Sequence, residues 1–177
     1  MDNITANLLF ADGAASALVC SDKVASEKNL KGLTITSYYS EVNFGGKKDM
    51  AWTLSSTGFL MTLSNYIPEL VEKSIKNLVN QTLSPAAKKV SDIVHWAVHP
   101  GGKRILDAIA KELEFQNGEL QSAYSVLENY GNMSSPTVLY VLKDILDNKL
   151  DHNNEELIFS AGFGPGLTME SMILSTR

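Results

Sequence analysis

Pro136-Thr137-Val138-Leu139-Tyr140-Val141-Leu142 decides the fold: the stretch is apolar on every side at helical spacing, and Lys143, Asp144, Asp147 and Lys149 come only later. A surface helix keeps a polar stripe, whereas one apolar all round is buried between two layers. Ser134 or Ser135 stands where a cap is needed, and Pro136 suits the first turn. Upstream, D-I-V-H-W-A-V (residues 92–98) reads as a buried strand. Gly101-Gly102 then opens a helix with Ile105, Leu106, Ile109 and Leu113 on one face, and another helix covers residues 117–129. Further out, Ile67, Leu70, Val71, Ile75, Leu78 and Val79 predict an amphipathic helix over 65–81, and Ser84-Pro85 starts a short helical segment. Residues 157–161 and 167–174 read as closing strands on either side of a glycine loop. Near the start, residues 33–39 read as a strand and 44–49 as a loop, while 6–11 and 14–20 predict a hairpin about Asp12-Gly13. This order gives an α/β fold: a mixed β-sheet with flanking helices and one buried central helix.

The chain has 177 residues, 44% of them hydrophobic and 20% charged, with a formal charge of −5. A domain of this length buries roughly 70% of its unfolded surface, enough for a core. The acidic balance supplies no electrostatic reason to bind nucleic acid or an anionic membrane. No apolar run approaches the ~20 residues of a membrane span, and Met1-Asp2-Asn3 lacks the basic start of a signal peptide. No nucleic-acid or membrane partner is therefore expected, and the expected compartment is cytoplasmic. The single cysteine, Cys20, excludes an intrachain disulfide and, at the end of a small-residue run, reads as an inert buried thiol.

Two motifs carry chemistry. V-H-P-G-G (residues 98–102) and Y-G-N-M-S-S (residues 130–135) place His99 and Asn132 thirty-three residues apart, each where the chain hands over to a helix. Two neutral donors converging on one point stabilise the oxyanion formed when a thioester carbonyl is attacked or decarboxylated. A lone histidine at a strand end more often satisfies a backbone group, and asparagine after glycine is a common turn residue. Their pairing favours the chemical reading: a neutral imidazole and an amide both donate without titrating near neutrality. His95, inside the strand, reads as structural and His152 as solvated. G-F-G-P-G (residues 162–166) is not a phosphate loop, because neither Lys-Ser/Thr nor a helix follows; it reads as a side-chain-poor wall beside a ligand.

In this order the three loops resemble the C-terminal half of the chalcone synthase-like (type III polyketide synthase) family, from about Leu8 to Leu174. The resemblance implies a thiolase-like half, residues 1–177, of an αβαβα fold whose cysteine-bearing N-terminal half has no sequence here. It further implies decarboxylative Claisen condensation of acyl-CoA starters with malonyl-CoA, with His99 and Asn132 as the oxyanion pair. Coenzyme A thioesters enter as substrates, with no bound cofactor or metal. Phe10 matches a gate between coenzyme A tunnel and cavity. Met61 falls on a second gating position if Pro68 anchors the alignment; a flexible methionine there would admit a different starter, such as a fatty acyl chain. Gly101, Ser134, Gly162, Phe163, Gly164, Pro165 and Gly166 match cavity positions. The implied partners are the missing half and a second copy in a homodimer, and the isolated chain is expected to be inactive. Ketoacyl-ACP synthases share the pair in the contexts H-Q-A-N and G-N-T-S, and thiolases use a second cysteine, which does not occur after Cys20. A ketoacyl-ACP synthase-like acyltransferase half and a non-catalytic thiolase-fold assembly module are the alternatives.

Overall fold

The computed structural model describes residues 8–56, 58–151 and 153–176. In chain order the elements are α1 (Asp22–Glu27), β1 (Leu33–Val42), β2 (Met50–Ser55), β3 (Gly58–Leu63), α2 (Ile67–Leu83), β4 (Ile93–Val98), α3 (Lys103–Glu112), α4 (Gln121–Tyr130), α5 (Pro136–Asn148), β5 (Leu157–Gly164) and β6 (Thr168–Thr176). Among the described residues, four strands form one sheet in the order β1-β6-β5-β4, parallel between β4 and β5 and antiparallel elsewhere, while β2 and β3 pair only with each other.

Strand pleating sorts the sheet residues onto two faces. One face carries Met169, Ser171 and Ile173 of β6, all buried, and is covered by α2: Thr82 Oγ1 lies 2.6 Å from Ser171 Oγ, and Ser37 Oγ donates to the Thr82 carbonyl at 2.7 Å. The eight apolar or small buried positions of α2 recur at helical spacing, so the stripe that predicts the helix is the one that packs. Trp96 packs between Phe159, tilted at 46°, and Phe115, edge-on at 60°, with centroids 4.9 and 4.7 Å away. On the opposite face Ala97 and Ile158 are fully buried, where α5 packs against β4 and β5. The β1–β6 half of that face is open: Ile35, Tyr38 and Val42 are exposed there, and Met172 is only half-buried.

Several sequence expectations need correction. The hairpin over 6–20 does not form. Leu8 and Leu9 are helical, Phe10 makes a lone parallel bridge with Asn132, and residues 11–21 run as an irregular strap; residues 6 and 7 lie outside the described residues. The Ala11 N–H is taken by the Asn132 carbonyl, and the side chains from Ala11 to Ser21 are exposed and bury too little to hold a second strand. Cys20 is accordingly exposed, not buried. Helix α5 buries Thr137, Val141, Leu142 and Ile145, but Val138, Leu139 and Tyr140 remain half-buried. Neither Ser134 nor Ser135 caps it with a side chain; the Thr137 hydroxyl donates to the Ser134 carbonyl instead, at 2.8 Å. Helix α4 starts at Gln121, because the Glu119 carboxylate takes the Asn117 N–H at 2.9 Å and Gly118 turns the chain at φ +78°. Among the described residues, no helix is long and apolar enough to cross a membrane.

Candidate active site

His99 is placed by the sheet. Its backbone N–H donates to the Ala161 carbonyl at 2.8 Å, carrying the β4–β5 pairing one residue past the end of β4. The side chain is buried, and that burial pushes the imidazole down from 6.5 to about 4, so it is neutral at physiological pH. Among the described residues the ring makes no protein hydrogen bond, which leaves its N–H for a ligand. Gly101 passes close by: a Cβ there would stand 3.0 Å from Ile105 Cδ1 and 3.8 Å from His99 Nε2.

Asn132 is placed by a turn. Its Oδ1 accepts the Ser134 N–H at 2.9 Å, and its Nδ2 donates to the Gly101 carbonyl at 3.1 Å. These two bonds fix which end of the amide is which and use one of the two amide hydrogens, so one donor remains. The side chain is buried, and Ser134 takes up the turn at φ +64°.

Both residues line one cavity of about 70 Å³ together with Phe10, Met50, Trp52, Met61, Leu63, Gly101, Ile105, Ser134, Phe163 and Pro165. Of the residues singled out from sequence, His99, Asn132, Phe10, Met61, Gly101, Ser134, Phe163 and Pro165 therefore meet, while Gly162, Gly164 and Gly166 do not reach the wall. Gly162 and Gly164 belong to β5, not to a loop, and a Cβ on Gly162 would touch nothing within 4 Å. Gly166 serves the scaffold, donating its N–H to the Met50 carbonyl at 3.0 Å. Met50, Trp52 and Leu63 are wall residues that the motif reading misses. Their signal is period-two alternation: the pairs Met50–Leu63, Trp52–Met61 and Leu54–Phe59 give the β2–β3 hairpin one wholly apolar face. His95 pairs with Glu156 at 3.0 Å and is structural, while His152 lies outside the described residues. A larger open cleft of about 450 Å³, at the far end of the sheet, is lined by Thr34, Thr36, Asn153, Asn154, Glu155, Ser175 and Thr176 and brings none of these groups together.

Residues 36–176 match the family model for chalcone and stilbene synthases, C-terminal domain. The chain belongs to this family. A chalcone synthase-type protein of Bacillus subtilis (strain 168) is 36% identical over 175 residues, which is 98% of this chain and 48% of that protein. The domain thus spans about half the length of this curated relative. Among solved structures, a polyketide synthase of the brown alga Ectocarpus siliculosus superposes with a TM-score of 0.72 at 26% identity, over 82% of this chain and 40% of the other. The fungal type III polyketide synthase ORAS (TM-score 0.72, 24% identity, 82% and 41% of the two chains) and a type III pentaketide synthase from Neurospora crassa (0.73, 24%, 82% and 41%) share the fold. The mixed sheet with its flanking helices is therefore the thiolase-like fold that these polyketide synthases share.

Proposed function

We propose that the protein carrying this domain joins an acyl-CoA starter to units from malonyl-CoA by decarboxylative Claisen condensation, and that His99 and Asn132 form its oxyanion site. One observation carries the reading: two neutral donors, each with a free N–H, face one cavity, and Asn132 is tied to the backbone of the His99 loop. In the step, the bond from the malonyl carboxylate to the α-carbon breaks, carbon dioxide leaves, and the electron pair moves onto the thioester oxygen. The His99 and Asn132 N–H groups stabilise that enolate oxygen. The enolate carbon then attacks the starter thioester, forms the new carbon–carbon bond and releases a thiolate.

The starter is held on a cysteine thiolate of the other half of the enzyme, because covalent holding requires an activated thiol and Cys20 sits on an exposed strap away from the cavity. Phe10, Met50, Trp52, Met61 and Leu63 form an apolar wall for the acyl portion of the substrates. The active enzyme is a homodimer, and the domain alone does not extend an acyl chain. The test is to supply acyl-CoA starters and malonyl-CoA to this chain alone and together with a separately expressed cysteine-bearing half. Carbon dioxide release and pyrone formation only in the mixture supports the reading; products from this chain alone, or none from a folded mixture, overturns it.

A further inference from the structure

We propose that Gly13 is a positioning residue for the Asn132 side chain: without a Cβ it lets Met133 seat against the strap, and that seat sets the direction of the free amide hydrogen. The inference rests on Asn132 acting as an oxyanion donor and adds a residue, far away in sequence, that holds it in place.

Four contacts brace the Asn132 turn against residues 9–13, where the strap begins. The Asn132 N–H donates to the Leu9 carbonyl at 3.2 Å, and the Ala11 N–H donates to the Asn132 carbonyl at 2.9 Å. Gly131, at φ +71°, lies so near Ala11 that a Cβ on it would stand 3.0 Å from the Ala11 Cβ. The fourth contact is Met133. A Cβ on Gly13 would overlap the Met133 sulfur and lie 2.7 Å from its Cγ and 2.9 Å from its Cβ.

The last of these distances decides the matter. A long side chain can swing its far end aside, but the Met133 Cβ is fixed to the backbone of the turn itself. Met133 is also 5% exposed and packed in the core, so it has nowhere to go. Gly13 does not adopt a left-handed conformation, so the position demands space and not a special dihedral. Any side chain at residue 13 must push the strap away or move the turn, and the strap is pinned on both sides of Phe10 by the bonds to Asn132. Movement therefore reaches the residue next to Met133, which is Asn132, and shifts its Nδ2 relative to the Gly101 carbonyl and the cavity.

The experiment reads the Asn132 side-chain amide directly, by ¹H–¹⁵N spectra of the full chain, with the two Nδ2 proton signals assigned by their loss in Asn132→Asp. Gly13→Ala is expected to move both signals, and Gly13→Ala combined with Met133→Gly to return them toward wild type, because the new methyl takes the room that the Met133 Cβ and thioether vacate. Met133→Gly alone is expected to move them less than Gly13→Ala does. In the enzyme completed by its cysteine-bearing half, Gly13→Ala lowers kcat by about 10²-fold with KM kept, the size expected for a displacement near 1 Å, and the double variant recovers most of it. Unmoved Asn132 signals in Gly13→Ala, or a double variant at least as displaced as the single, overturns the proposal. Should Gly13→Ala fail to fold, a folded double variant with native Asn132 signals supports it and an unfolded double variant overturns it. The spectral reading needs no turnover, so positioning and the condensation reading can fail separately.

Discussion

The side-chain amide of Asn132 donates to the backbone carbonyl of Gly101 at 3.1 Å, joining two loops that are 31 residues apart in sequence. That bond sets the geometry between the two donors, because His99 and Gly101 share one short loop whose backbone folds back on itself, with the Gly101 N–H donating to the His99 carbonyl at 3.0 Å.

In the complete enzyme, removing either donor should depress malonyl-CoA decarboxylation. Asn132→Ala is expected to lose roughly 10²–10³-fold in rate, the usual effect of deleting one oxyanion-hole donor, and His99→Ala to abolish it. Asn132→Asp keeps the acceptor for the Ser134 N–H but puts a carboxylate where the donor stood, and should be no better than alanine. Carbon dioxide release from malonyl-CoA is the measurement; a wild-type rate in either alanine variant would contradict the assignment.

Stability should fall with acid in a window set by His99. Its folded value, about 4, lies below the unfolded 6.5, so between those values the unfolded chain binds a proton that the folded chain refuses. The contribution is intact above pH 6.5 and is lost as pH falls toward 4, costing up to roughly 3 kcal/mol. Urea midpoints of wild type and His99→Gln, compared across the window, isolate the effect from carboxylate titration. Parallel curves for the two proteins would show that His99 carries none of it.

Cys20 should react freely with maleimide in the folded state, since it is exposed on the strap. It should form no acyl adduct with acyl-CoA, and Cys20→Ser should leave product formation by the complete enzyme unchanged. Intact mass after incubation with acyl-CoA gives the answer, and an adduct at Cys20 would reassign the nucleophile.

The domain alone should associate through the open half of its sheet, where Ile35, Tyr38 and Val42 face solvent. An uncovered apolar patch of this kind drives association. Tyr38→Lys with Val42→Lys should shift sedimentation toward the monomer without lowering the melting temperature, because neither side chain is buried. A monomer already at micromolar concentration in the unaltered domain would argue against it.

Much of this site is legible in the sequence, and the failures have physical causes. The motifs at His99 and Asn132 are readable because each couples a chemical residue to the turn that holds it. Asp12-Gly13 misleads: the pair has the form of a hairpin turn, yet Gly13 is small to make room for Met133 and not to turn the chain. Ser134 and Ser135 mislead similarly, since cap-forming residues precede α5 but the bond to the Ser134 N–H comes from the Asn132 side chain. The β2–β3 hairpin escapes the motif reading for a different reason. Its apolar residues alternate at period two across two short runs, and only their pairing in space shows a continuous surface.

That hairpin has a consequence for how the family can diversify. Among the described residues its strands pair with each other and with no strand of the main sheet, and its base is tied down through the Met50 carbonyl. Trp52 and Met61 can therefore be exchanged without altering the register of β4 and β5, which fixes His99. On the proposed assignment, the reacting pair is held by the main sheet and the apolar wall by a separately paired hairpin, so a change in that wall would alter which acyl group fits while leaving the pair in place.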